Sequence, residues 1–163
     1  MYKGIKIEKF LKLSFLLLTI GSSLLLILGF LFTAAMGGFV IDFSYIKYFF
    51  STFSSLIILI IYSFLAYYGL KFRKNSGYTF GFSTTLPLLI YFAYEIIRYF
   101  HIYTYTWDST QNILQIIFIF LLLIILMSLI KKSNFKNYKL SEYIYTLILS
   151  SVFFAVLLFS PNF

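Results

Sequence analysis

Cysteine is absent from the 163 residues of this chain, which also holds only one His, two Pro and five Asp or Glu residues. Without cysteine, the chain cannot form a disulfide, a thiolate nucleophile or a cysteine-ligated metal site. A single histidine and so few acids are also a poor source of zinc ligands. We therefore expect no metal site and no cofactor. Because no catalytic motif is present, we also expect a protein that is not an enzyme.

Charged side chains are scarce as well. They make up 11% of this chain, whereas soluble domains carry about 25%. Hydrophobic residues make up 61%, and a water-soluble fold of this size could not bury so much apolar surface. A lipid bilayer can surround such a chain, because it is itself an apolar solvent. The composition therefore predicts an all-α, polytopic integral membrane protein, with residues 1–163 forming a single transmembrane helical domain.

Five apolar runs have about the length of a membrane-spanning helix, which needs ~20 residues. These runs lie at 10–35, 49–70, 79–100, 112–130 and 143–159. The predicted architecture is a bundle of five transmembrane helices, or of four if the short last run does not cross. The first run follows a lysine-rich segment, as the apolar part of a signal peptide would. It is longer than the ~7 to 15 apolar residues of a signal peptide, so we expect an uncleaved helix.

Basic residues are distributed unevenly between the segments that separate these runs. Of the thirteen Lys and Arg residues, all except Lys47 and Arg98 fall in segments 1–12, 71–78 and 131–142. Since basic residues accumulate in cytoplasmic loops, we expect these segments and the N-terminus to be cytoplasmic and the C-terminus to be extracellular. The predicted location is a bacterial plasma membrane, with an organellar inner membrane as the alternative. The net charge of +8 then reflects orientation and contact with the lipid bilayer, and we expect no nucleic-acid binding.

Two ionisable residues, Glu95 and Arg98, fall within the third run. Charged residues inside a membrane span are costly, and they mark function by default. At 3.6 residues per turn, Arg98 and Tyr91 lie within about 60° of Glu95, so the three share one helix face. The opposite face is apolar, and we expect it to contact lipid through these residues: Phe82, Leu86, Leu89, Ile90, Ala93, Ile96, Ile97 and Phe100.

Further polar residues are predicted at the depth of this pair, at the starts of the second and fourth runs. They include Ser55 in the second run. The candidate binding patch in the outer leaflet consists of Tyr91, Glu95, Arg98, His101, Gln111 and Gln115. Two interpretations stay open. Glu95 and Arg98 could be a partly buried ion pair that neutralises itself and holds helices together, or the patch could bind a ligand, a peptide or an ion.

Small residues recur at helical spacing in the first run, among them Gly21, Ser22, Gly29 and Thr33. Small side chains allow two helices to approach closely. We therefore expect this ridge to face another helix, in a partner protein or in a second copy of the chain. In the third run, Pro87 is predicted to kink the helix, because proline leaves one backbone carbonyl without its donor.

The expected function is that of a small, non-catalytic multi-pass membrane protein that acts through its helices and outer loops. Such a protein would be an accessory subunit of a membrane complex, or an immunity-type protein that shields the membrane from a toxin. Its expected partner is another membrane protein or a second copy of itself. The alternative is a transporter or channel component with an outward-facing polar site around Glu95 and Arg98. Against that alternative, the polar residues gather at the outer ends of the helices and do not continue through the first and fifth runs, so we predict no polar track that reaches the cytoplasm.

Overall fold

The computed structural model describes residues 2–36, 43–72, 74–102, 110–132 and 140–159, and within these ranges all regular secondary structure is helical. The prediction of an all-α chain is therefore confirmed for the described residues. The described ranges contain six helices in sequence: α1 Tyr2–Met36, α2 Phe43–Thr52, α3 Ser54–Lys71, α4 Asn75–Ile102, α5 Thr110–Lys132 and α6 Leu140–Phe159.

Five of these helices contain a stretch that is long and apolar enough to cross a bilayer. The five stretches are Lys6–Met36, Ser54–Lys71, Asn75–Arg98, Ile113–Lys132 and Leu140–Phe159. Each apolar run of the sequence corresponds to one of them. The short last run extends to the 20 residues of α6 and meets the same criterion. These helices are consistent with an integral membrane protein.

The chain preceding the second span is more helical than the sequence analysis predicted. Residues 43–48 precede the second predicted run, which begins at 49, but they form most of α2. Phe53 separates α2 from α3, with φ −104° and ψ 15°. Backbone hydrogen bonds continue through this residue, because Phe53 N donates to Phe49 O and Ile57 N donates to Phe53 O. Residues 43–48 are therefore helical, and the ring of Tyr45 packs edge to face on that of Phe30 in α1, with centroids 5.9 Å apart.

Contacts between helix ends show which ends lie together. Lys132 Nζ at the end of α5 is 3.8 Å from Glu8 Oε2 near the start of α1. Asn75 Nδ2 at the start of α4 donates to Glu142 Oε1 at the start of α6, at 3.3 Å. We call this end of the bundle the basic end, because it holds Lys6, Lys9, Lys12, Lys71, Lys74, Lys131 and Lys132. The opposite end, where α3 and α5 begin and α4 finishes, is called the Glu95 end.

Helix α4 lies at the centre of the bundle. It packs against α3, α5 and α6, while α1 packs against α3 and α5. Near the basic end, buried residues of α1, α3, α4 and α5 form one core: Leu11, Phe15, Ala66, Leu70, Phe82, Ile125 and Leu129. Nearer the Glu95 end, buried residues of α3, α4, α5 and α6 form a second core: Leu59, Tyr62, Leu88, Tyr91, Leu122, Phe153 and Leu157.

Fewer residues of α4 are exposed than the predicted lipid-facing side contains. Leu86, Ile90 and Ile97 are exposed, as the apolar face predicted. Phe82 was expected to contact lipid as well, but it is only 8% exposed and belongs to the core near the basic end. That prediction was wrong because side chains of α1, α3 and α5 pack around Phe82 in this core.

Helices α3 and α4 approach each other closely at two glycines. A Cβ added to Gly69 would lie 2.5 Å from Gly77 Cα, and a Cβ added to Gly77 would lie 2.6 Å from the carbonyl carbon of Gly69. Real Cβ atoms essentially never approach backbone atoms so closely. The tight α3–α4 hairpin therefore requires glycine at both positions.

Candidate functional site

Glu95 and Arg98 form an ion pair within the last turns of α4. Arg98 Nη1 donates to Glu95 Oε1 at 3.5 Å. This distance is long for a charge-assisted hydrogen bond, which is usually about 2.7–2.9 Å. The Arg98 side chain is 56% exposed and that of Glu95 is 27% exposed. The Glu95 side chain is therefore partly buried, whereas more than half of the Arg98 side chain is exposed.

Tyr91 lies one turn below Glu95 and belongs to the interior of the bundle. It is only 5% exposed and packs in the core nearer the Glu95 end, together with Leu59 and Leu88. Its ring also contacts the ring of Phe92, edge to face, with centroids 5.7 Å apart. Tyr91 thus forms the inner boundary of the candidate patch, and the charged residues lie above it.

Two further helices supply polar side chains to this end of the bundle. Ser55 near the start of α3 and Thr52 at the end of α2 are buried, with 1% and 6% exposure. On α5, Gln115 is half-buried. One turn further along α5, the ring of Phe118 packs edge to face on that of Phe92, with centroids 5.1 Å apart. This ring pair holds α5 beside α4 close to the level of the patch.

The remaining two members of the candidate patch are His101 and Gln111. Their side chains lie outside the described residues. The described part of the patch therefore consists of the exposed Arg98, the half-buried Glu95 and Gln115, and the buried Tyr91.

Sequence reasoning missed an ion cluster at the basic end. Lys12 Nζ donates to Glu8 Oε1 at 2.7 Å on α1, and Lys132 of α5 approaches the other oxygen of the same carboxylate. The Glu8 side chain is 18% exposed, which makes it more buried than Glu95. The i, i+4 spacing of Glu8 and Lys12 could have predicted their ion pair. The lysines of this segment were interpreted only as indicators of membrane orientation.

Interior polar groups also occur away from the Glu95 end. Helix α4 buries several hydroxyls in the half nearer the basic end: Thr79, Ser83, Thr84 and Thr85. A threonine or serine hydroxyl can be buried at little cost when it bonds to its own helix. Thr84 Oγ1 donates to Phe80 O at 2.7 Å, and Thr85 Oγ1 donates to Gly81 O at 2.8 Å.

A few of the buried hydroxyls connect neighbouring helices. The hydroxyl oxygens of Thr19 on α1 and Ser63 on α3 lie 2.9 Å apart. Ser83 Oγ on α4 donates to the backbone oxygen of Thr146 on α6 at 3.2 Å. Such contacts hold helices together in an apolar solvent. We therefore assign these hydroxyls to packing.

Among the described residues, no three His, Cys, Asp or Glu side chains lie close enough to hold a metal ion. No protein-family model matches the chain, and no curated protein or solved structure is similar enough to it to count as a match.

Proposed function

We propose that this chain is a non-catalytic multi-pass membrane protein that acts by binding another protein at the Glu95 end. The proposal rests on the exposure of the Arg98 side chain and on its long contact with Glu95. More than half of the Arg98 side chain is exposed, and its Nη1 contacts Glu95 Oε1 at a long distance of 3.5 Å. An arginine can donate two parallel hydrogen bonds to a carboxylate. Arg98 therefore has donors left over for an acidic group of a partner.

The backbone beneath Arg98 is well supported. Helix α4 is packed on three sides, and Tyr91 and Leu88 below the pair are buried in the core. A charged group on a rigid helix loses little backbone entropy on binding, which favours recognition. The exposed Tyr94 beside Glu95 adds an aromatic ring, and aromatic and arginine side chains are enriched at protein interfaces.

The interior of the bundle favours binding over transport. Between the Glu95 end and the buried hydroxyls of α4 lies a layer of apolar side chains, and Leu88, Leu122 and Phe153 in it are at most 1% exposed. The hydroxyls of Thr84 and Thr85 bond to their own helix. A polar solute would have to cross the apolar layer and compete with these hydrogen bonds. A partner that contacts the Glu95 end needs neither step.

The partner in this proposal is a membrane complex or a toxin that reaches the membrane. A photo-reactive amino acid at Tyr94, expressed in the cell that encodes the chain, tests it. Tyr94 is 48% exposed beside the ion pair, and Ile148 on α6, which is 50% exposed, is the matched control position. We expect a protein adduct of defined mass from position 94 and none of that mass from position 148.

The charge dependence of this adduct gives the decisive comparison. We expect Arg98→Gln to reduce the adduct yield severalfold, whereas Lys47→Gln, which removes an exposed basic residue of α2, leaves the yield unchanged. An equal yield in the wild type and the Arg98→Gln protein would contradict a role for Arg98 in binding. Adducts with lipid alone from both positions would contradict the proposed function.

A further inference from the structure

A groove follows the outward face of α5 toward the basic end. Its volume is about 540 Å³, which is within the range of small-molecule pockets. One residue of α1 and one face of α5 form its walls, including Ile7, Phe120, Ile124, Met127, Ser128 and Lys131. The side chains of Phe120, Ile124 and Met127 are 62%, 52% and 67% exposed. The groove is therefore apolar along its length and is open to whatever surrounds the bundle.

The length of the groove matches one leaflet of a bilayer. From Phe120 to Lys131 it follows α5 for about 16 Å, at a rise of 1.5 Å per residue. Half of a hydrocarbon core of ~30 Å is about 15 Å. Phe120 therefore lies near the depth at which the two leaflets meet, and Lys131 lies near the headgroups of the leaflet at the basic end.

The charge at the basic end of the groove is positive. The described acid near this point is Glu8, and its two oxygens are contacted by Lys12 at 2.7 Å and by Lys132 at 3.8 Å. Lys132 thus faces the carboxylate, whereas its neighbour Lys131 is exposed and lines the groove. Ser128, one turn away, adds a hydroxyl to the same wall. The ammonium of Lys131 and the hydroxyl of Ser128 lie at one end of the apolar groove. They complement the anionic headgroup of a lipid whose acyl chain lies along the groove.

We propose that this groove binds one anionic phospholipid, with an acyl chain along Phe120, Ile124 and Met127 and the phosphate at Lys131. The site is distinct from the Glu95 end, and it does not depend on the function proposed there. A phospholipid with a zwitterionic headgroup would fill the same groove but would gain less from Lys131, because its net charge is zero.

Tryptophan fluorescence tests the site in the full chain. The single tryptophan, Trp107, is first replaced by Phe, and Met127→Trp then places the probe in the groove. The protein is reconstituted into phosphatidylcholine vesicles containing phosphatidylglycerol, with brominated acyl chains on one lipid or the other as quencher. We expect phosphatidylglycerol to be preferred over phosphatidylcholine at the probe by roughly fivefold, as one lysine near an anionic headgroup gives about 1 kcal/mol.

Two matched lysine variants distinguish a specific lipid site at Lys131 from non-specific attraction of anionic lipid to the basic end. Lys131→Gln should abolish the preference, whereas Lys74→Gln, which removes an exposed lysine of the same end outside the groove, should retain it. Equal quenching by the two lipids would overturn the proposal. An equal loss of preference in both lysine variants would also overturn it, and so would competition by millimolar inorganic phosphate, because that would indicate a phosphate site with no lipid requirement.

A second measurement does not depend on the introduced tryptophan. In native mass spectrometry of the detergent-solubilised wild-type protein, we expect phosphatidylglycerol adducts that survive in the Lys74→Gln protein and decline severalfold in the Lys131→Gln protein. Identical adduct patterns in all three proteins would overturn the proposal even if the Met127→Trp protein failed to fold.

Discussion

Glu8 and Glu95 each form an ion pair within one helix, but they differ in how firmly they are held. Glu8 is 18% exposed, lies 2.7 Å from Lys12, and is also approached by Lys132 of another helix. Glu95 is 27% exposed and lies 3.5 Å from an arginine of its own helix that is 56% exposed. Of the two residues, Glu8 is therefore the structural one, and Glu95 belongs to an open surface.

This difference predicts the stability of two matched variants. Glu8→Gln removes a charged hydrogen bond and an inter-helix ion pair, and should cost about 1–3 kcal/mol of unfolding free energy. Glu95→Gln weakens only an exposed pair and should cost less than about 1 kcal/mol. Denaturant unfolding of the purified proteins in detergent measures both values. A larger loss in the Glu95→Gln protein would show that the pair on α4 is structural.

Glycines allow a second matched comparison at the scale of single residues. A Cβ on Gly77 would meet the backbone of Gly69 and Leu70, whereas a Cβ on Gly21 would have nothing within 4 Å. Gly77→Ala should therefore cost about 1–3 kcal/mol through overpacking. Gly21→Ala should be neutral or stabilise α1 by up to about 1 kcal/mol, since alanine is the better helix former. Thermal unfolding in detergent compares them, and equal midpoints would contradict the close α3–α4 contact.

At the scale of the elements, the small-residue ridge of α1 is divided between two environments. Gly29 faces the start of α3, where a Cβ would lie 2.6 Å from the ring of Phe53 in the same chain. Gly21 faces open space in the monomer. At Gly29, the neighbouring side chain therefore belongs to the same chain. A contact of the ridge with a partner protein or a second copy stays a prediction.

A rescue experiment follows from this contact. Gly29→Leu should destabilise the protein, because the new side chain and the ring of Phe53 need the same space. Adding Phe53→Ala should restore much of the loss by making room. Expression level and unfolding midpoint report both effects. If Phe53→Ala gave no rescue while the Gly29→Leu protein changed its oligomeric size, the ridge would face another chain after all.

The five apolar spans could be predicted from the sequence, because each is a continuous run of residues. The Glu95–Arg98 pair could be predicted as well, because its two residues are three positions apart on one helix. The burial of Phe82 was not visible, because it depends on side chains of α1, α3 and α5 that are distant in the sequence. The bridge from Lys132 to Glu8 joins residues more than a hundred positions apart, so no local pattern predicts it. The close approach of Gly69 and Gly77 likewise depends on how the α3–α4 hairpin closes.

At the scale of the whole molecule, the five apolar spans alternate in direction through the bundle, and α2 continues in the direction of α3. The ends that meet at the Glu8–Lys132 and Asn75–Glu142 contacts are those that carry most of the lysines. Five alternating spans place the start of α1 and the end of α6 at opposite ends. We propose that the basic end is cytoplasmic, because lysine and arginine accumulate on that side. The Glu95 end would then face the exterior, where the proposed partner binds.

Cysteine accessibility tests this topology most directly. The chain has no cysteine of its own, so each single-cysteine variant can be labelled only at the introduced residue. Single variants Lys74→Cys and Leu140→Cys lie at the basic end, and Ser160→Cys follows α6. With a membrane-impermeant maleimide on intact cells, we expect labelling of the Ser160→Cys protein alone, and labelling of all three after the membrane is permeabilised. Protection of all three proteins in intact cells would mean that α6 does not cross. Labelling of the Lys74→Cys and Leu140→Cys proteins without permeabilisation would contradict a cytoplasmic basic end.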